Sequence, residues 1–371
     1  MSIRSIGRLR GGKASWSGIA LGASALLLVI SGCSAGAEEA PADTTEATGT
    51  AEVAKTVKIG VAMKTQLQER WAFDVQYMQA RADEIGATLV VQYANDDPAL
   101  QASQVENLIS QDIDVLIIVP VDDQAAATSV AVAQAEGIPV ISYDIGVQGI
   151  AVDAFVIRDN PGVGTLQVET CLEKSGGTGN YAQISGDAAN DVAQAIFLAQ
   201  TAALDGTDVN VIYADFNKNW DPATAQATAE NLLTANNDDV AAFLTANDGM
   251  AGGVIQALQG RGLGGQVCVT GLDATPQALK FMLQGLQTMS VWTPIDKQGS
   301  LAVDAAVALA NGEEVAFQEK MDNGSGTDIP AVLVPVQAIT ADTVCDFILN
   351  IAPEGWVTVE DVYDDPSECQ G

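Results

Sequence analysis

Short apolar runs rich in Val and Ile alternate with longer stretches in which apolar side chains recur every three or four positions, from Thr56 nearly to the end of the 371-residue chain. The first kind of run predicts strands and the second predicts amphipathic helices, so the pattern is α/β. The spacing places a strand over 57–62 and a helix over 69–85 that stops at Gly86. Strands over 88–92, 115–119 and 139–143 follow, with helices over 101–110 and 125–136 between them. Val115-Leu116-Ile117-Ile118-Val119 is apolar at every position, as expected of a parallel strand covered on both faces. A second series repeats the alternation, with strands over 181–184, 209–213, 240–244 and 267–270. About 315 patterned residues exceed what one core usually holds, so the chain is expected to form two doubly wound lobes. Three further strand-like pieces, 155–157, 289–292 and 332–335, are read as crossovers of a three-strand hinge. On this reading residues 56–157 with 293–328 form the N-terminal lobe. Residues 158–292 with 329–350 form the C-terminal lobe, and 351–371 are a C-terminal tail.

The first 55 residues do not share the pattern. Arg4, Arg8, Arg10 and Lys13 precede an apolar stretch over 19–30 that is too short to span a bilayer, and Ile30-Ser31-Gly32-Cys33 follows it. This layout resembles a bacterial lipobox. Residues 1–32 are expected to be a lipoprotein signal peptide and Cys33 the lipidated first residue of the mature chain. Residues 33–55 are rich in Ala, Glu, Thr and Pro and are expected to be a flexible tether. The protein is therefore expected outside the cytoplasm, held to the cell membrane by lipid.

Composition narrows the chemistry. Sixteen basic residues face forty-eight acidic ones, a formal charge of −32, and loss of the four cations in 1–32 takes it to −36. Such a polyanion is not expected to bind nucleic acid. Histidine is absent, which excludes Ser-His and Cys-His nucleophile pairs and the usual zinc ligand. Cys171, Cys268, Cys345 and Cys369 are too widely spaced for a C-x-x-C motif. Cys345 and Cys369 could tie down the tail, whereas Cys171 and Cys268 read equally as buried apolar fillers, and the pairing stays open. The glycine-rich pieces 176–179 and 262–265 lack the Gly-Lys-Ser/Thr run of a phosphate loop. The oxygen-rich run 322–328 lacks the Glu that closes a calcium loop. No metal, no cofactor and no enzymatic activity are expected.

In two doubly wound lobes the residues just past each strand converge on a shared cleft. Here they are Arg70 and Trp71, Asp144, then Arg158, Asp159 and Asn160 at the first crossover. Asn190 and Asp191, Trp220, Asn247, Asp273, and Thr293 at the second crossover complete the set. Carboxylates, amides and guanidinium groups exchange hydrogen bonds with vicinal hydroxyls, and an indole covers the C–H face of a sugar ring. Each position also has a structural use, since Asp or Asn after a strand caps the next helix and a Trp packs. A glycosidase would need two carboxylates facing one bond, which sequence does not show.

Longer stretches carry a resemblance. Glu69-Arg70-Trp71, Gln104-Val105-Glu106-Asn107-Leu108-Ile109, Val119-Pro120-Val121, Tyr143-Asp144, Asp159-Asn160, Asn247-Asp248 with Ala251-Gly252-Gly253, Gly271-Leu272-Asp273-Ala274 and Gln287-Thr288-Met289 occur in this order. Over 57–310 the chain resembles the type I periplasmic binding proteins of bacterial sugar ABC importers, with the D-xylose binders nearest. The resemblance implies capture of a monosaccharide or polyol between the lobes by a monomer, and delivery to an ABC permease and its ATPase. It implies sugar contacts at Arg70, Asp144, Asn160, Trp220, Asn247 and Asp273. It also implies a ligand different in detail from xylose, because Ile145, Leu272 and Thr293 stand where xylose binders carry Arg, Gln and Lys. The same architecture would serve a sugar sensor that presents its closed form to a chemoreceptor or sensor kinase.

Overall fold

The computed structural model describes residues 56–369. The expected signal peptide over 1–32, Cys33 and the whole of the expected tether over 33–55 lie outside the described residues. In chain order the first half runs β1 (Lys58–Met63), α1 (Arg70–Ile85), β2 (Thr88–Tyr93), α2 (Pro98–Ile109), β3 (Val115–Ile118), α3 (Ala126–Ala135), β4 (Val140–Tyr143) and β5 (Ala154–Arg158). Next come α4 (Asn160–Ser175), β6 (Thr178–Ser185), α5 (Asp191–Leu204), β7 (Asp208–Phe216), α6 (Pro222–Ala235), β8 (Ala242–Thr245), α7 (Asp248–Gly260), β9 (Cys268–Val269) and α8 (Pro276–Leu283). The chain closes with β10 (Met289–Trp292), α9 (Ile295–Ala310), β11 (Glu319–Met321), β12 (Ile329–Val334) and β13 (Gln337–Thr340), followed by short helical turns.

Local chemistry sets many of these bounds. Asp97, Asp159, Asp221 and Thr275 each accept a hydrogen bond from a first-turn N–H, with proline in the first two helical positions. Gly86 ends α1 at φ 75°, a left-handed conformation that costs glycine nothing.

Two main sheets result. The larger has the order β11-β12-β5-β4-β3-β1-β2, and the smaller β7-β6-β8-β9. Neighbours in both are parallel except β11, which runs antiparallel at the edge of the large sheet, so that sheet is mixed. Strand order reverses at β1/β3 in one sheet and at β6/β8 in the other, and at such switch points loops diverge and leave a crevice.

The chain passes between the sheets after β5, between β10 and α9, and between β12 and β13. Ile329–Val334, expected with the second lobe, instead pairs with β5 in the large sheet, Ala331 opposite Phe155. The third crossing therefore lies at Pro335–Val336, and β13 pairs with β10 beyond it. An apolar strand reads alike in either sheet, so sequence could not place it. The tail is also more than a loose end. Trp356 is buried, donates from Nε1 to the Ala274 carbonyl at 3.0 Å, and packs edge-on against Phe73 of α1 with ring centroids 4.9 Å apart. Cys345–Cys369 closes this segment. Cys171–Cys268 is also a disulfide, pinning α4 to β9, so the apolar-filler alternative does not hold. Among the described residues no helix is long and apolar enough to cross a membrane.

Candidate functional site

At the carboxyl ends of both sheets a pocket of about 390 Å3, its open mouth included, is lined by Lys64, Gln68, Arg70, Trp71, Asp144, Ile145, Arg158, Val192, Trp220, Asn247, Leu272 and Asp273. It widens outward into a cleft whose rim includes Leu67, Lys218, Asp221, Thr275 and Phe281.

The first-lobe wall is an ion-pair network. Arg70 opens α1 and donates from Nε to Asp74 at 3.0 Å, and from Nη2 to Asp144 at 2.6 Å and to Gln298 at 3.1 Å. Arg158, the last residue of β5, donates from Nη2 to the other oxygen of Asp144 at 3.0 Å and from Nε to Asn160 at 3.0 Å. Asp144 thus bridges two buried guanidinium groups. Burial alone would raise its pKa, but Arg158 and Arg70 outweigh burial and hold the carboxyl below its ordinary value. The remaining nitrogens, Arg70 Nη1 and Arg158 Nη1, are buried and have no hydrogen-bond partner among the described residues. They stand 3.8 Å and 3.7 Å from the Asp273 carboxylate of the second lobe, beyond good hydrogen-bond range. Burial pushes Asp273 up to about 6 despite both cations. Trp71 lies beneath Arg70, whose guanidinium carbon is 5.0 Å from the ring centroid, and its Nε1 donates to Gln68 at 2.7 Å.

The second-lobe wall is held by backbone. Trp220 has φ 55°, unusual for a bulky residue, and its indole fits only because Gly186 lacks a side chain: a Cβ there would meet the ring at 2.3 Å. Asp273 at φ 104° and Asp144 at φ 60° are likewise left-handed, so three of the pocket's residues sit in uncommon conformations. Asn247 caps α7 by accepting from the Met250 N–H at 3.0 Å.

Of the positions drawn from sequence, Arg70, Trp71, Asp144, Arg158, Trp220, Asn247 and Asp273 line the pocket, and the others lie outside its lining. Asp159 is the N-cap of α4 and accepts from Gly162. Asn160 holds Arg158 in place. Asn190 is spent on both sides, its Nδ2 donating to the Val121 carbonyl at 2.9 Å and its Oδ1 accepting from Trp220 Nε1 at 3.1 Å. Asp191 accepts from the Gly146 N–H at 2.9 Å, and burial pushes its carboxyl up to about 7. Asn190 and Asp191 therefore join the lobes rather than face the pocket. Thr293 is buried, with its hydroxyl unpaired among the described residues. Three polar contributors escaped the sequence-derived set: Lys64, Gln68 and Gln298. Lys64 had a signal, a cation following an apolar strand run; Gln298 lies within α9 and carries none.

Comparison with known proteins agrees with this architecture. The D-xylose-binding periplasmic protein of Escherichia coli (strain K12) is 34% identical over 307 residues, 82% of this chain and 92% of that protein. A carbohydrate transporter solute binding protein from Chloroflexus aurantiacus, solved in complex with D-glucose, superimposes with a TM-score of 0.76 at 26% identity, covering 84% of this chain and 99% of that one. An ABC transporter solute binding protein from Bacillus halodurans C-125 with bound myo-inositol gives 0.70 at 27% identity over 79% and 97%. Residues 59–314 match the periplasmic binding protein domain, and with two lobes, three crossings and a pocket between them the chain belongs to that family in its type I fold.

Proposed function

We propose that this protein is an extracytoplasmic solute-binding component of an ABC importer that captures a monosaccharide or polyol between its lobes. The observation that carries the reading is that Arg70 Nη1 and Arg158 Nη1, without a hydrogen-bond partner among the described residues, face Asp273 in a pocket that also holds Trp71 and Trp220. A hydroxyl is both acceptor and donor, so one hydroxyl oxygen can take a bond from a guanidinium while its proton goes to Asp273. The indoles cover C–H faces, and Asn247 adds an amide. Binding groups drawn from both lobes favour the closed form by the difference in ligand affinity between the two states. No step alters the ligand, and the closed form is the species the permease receives.

Lipid attachment at Cys33 is part of the same proposal, supported by the Ile30-Ser31-Gly32-Cys33 sequence. Replacing Cys33 with Ser should release the protein from membrane fractions and leave ligand affinity unchanged. The central test is calorimetric titration with pentoses, hexoses and inositols. Saturable one-to-one heats with at least one of them are expected, and silence across the panel would overturn the sugar reading.

A further inference from the structure

The pocket carries a chemical asymmetry that the capture of a polyhydroxylated ring does not account for. Beside its charged groups it is lined by Ile145, Val192 and Leu272, each at most 3% exposed. These are not remote core. Ile145 directly follows the bridging carboxylate Asp144, Leu272 directly precedes Asp273, and the Gly146 N–H to Asp191 bond at 2.9 Å brings the chain beside Ile145 up to the chain beside Val192 across the lobes. All three belong to the same apolar cluster as Trp71 and Trp220. The indoles already supply cover for ring faces, so three more aliphatic side chains add lining whose side chains offer no donor or acceptor of their own. A hydroxyl directed there would give up its water and find no partner, whereas a methyl group would only gain contact.

Resting on the sugar-binding reading above, we propose that the ligand class is the 6-deoxyaldopyranoses, with the methyl group seated against Ile145, Val192 and Leu272. The ring hydroxyls face Arg70, Arg158 and Asp273. The preference is moderate by nature, because an apolar pocket rejects one added hydroxyl by about 10- to 100-fold and not more.

The test is calorimetry on the full-length wild-type chain with matched pairs that differ only at C6: 6-deoxy-D-glucose against D-glucose, L-fucose against L-galactose, L-rhamnose against L-mannose, with D-xylose alongside. The expected result is that in at least one pair the deoxy sugar binds about 10-fold or more tightly than its partner, and more tightly than D-xylose. Val192→Thr, which keeps the shape and adds a hydroxyl, should then narrow that ratio. Sugars that bind with no deoxy preference, or a Val192→Thr variant with the ratio unchanged, overturn this inference and leave the sugar-binding reading standing. No binding by any sugar overturns both.

Discussion

The two walls of the pocket are built by different physics. On the first-lobe side Arg70, Asp144 and Arg158 are fixed by other side chains, Asp74, Gln298 and Asn160 among them, all of them buried. On the second-lobe side Trp220, Asn247 and Asp273 are fixed mainly by backbone, through a left-handed turn over a glycine, a helix cap, and a loop whose Asp273 N–H donates to Val291 at 2.8 Å, with one side-chain bond from Trp220 Nε1 to Asn190. A wall made of mutually paired charges cannot lose a member without stranding the rest, so there binding and stability are the same property. A wall hung on backbone can lose a side chain with its frame intact.

The strongest way to break that contrast is Asp144→Ala. It strands two buried guanidinium groups, and a loss of about 3–5 kcal/mol in urea unfolding is expected together with loss of measurable ligand binding. A loss under about 1 kcal/mol would mean that the network re-pairs and the contrast is false. Next is the second lobe's own fastening. Cys171→Ala with Cys268→Ala opens a 97-residue loop, and about 2–4 kcal/mol of stability should go, with the ligand still bound below the lowered melting point in calorimetry. Asp273→Asn removes a charge that burial already disfavours. Affinity should fall by about 10-fold while stability moves by less than about 1 kcal/mol, the separation that the first wall does not permit.

Two buried carboxylates, Asp248 and Asp144, should also respond to pH with opposite signs. Burial, then Asp273, pushes Asp248 up to about 7. A carboxyl raised on folding contributes stability that is complete below its ordinary value and is lost as pH rises through about 7. Asp144, lowered by its two arginines, contributes stability present above its ordinary value and lost as pH falls through its lowered one. Stability measured by denaturant titration should therefore decline between about pH 5 and pH 8, and Asp248→Asn should flatten the decline. If Asp248→Asn keeps the wild-type slope, that carboxyl does not set it. The smallest effect is expected at Asp159→Ala, which removes only the α4 cap: about 1 kcal/mol of stability, with affinity unchanged.

Much of the frame was legible in residue order. The strand expected over 115–119 is β3, the helix expected over 69–85 is α1, and Gly86 ends it as the pattern required. These depend on neighbours in sequence, namely apolar period, caps and glycine. The candidate site was legible only as a list of strand ends. Asp159 and Asp144 look alike in that list, since each is an Asp after an apolar strand, yet one caps a helix and the other bridges two arginines. Gln298 gave no signal, because its partners Arg70 and Asp144 lie 228 and 154 residues away.

Residue order alone thus sufficed for the α/β alternation, the two-lobed division, the strongly acidic charge and the absence of histidine chemistry. Those follow from local preference and from counting. The sheet that claims Ile329–Val334, both disulfide pairings, the use of Asn190 and Asp191 as interlobe ties, and the two guanidinium nitrogens left facing Asp273 were settled only when the chain folded. Each depends on which distant groups arrive at hydrogen-bonding or bonding distance, and that is a property of packing in three dimensions.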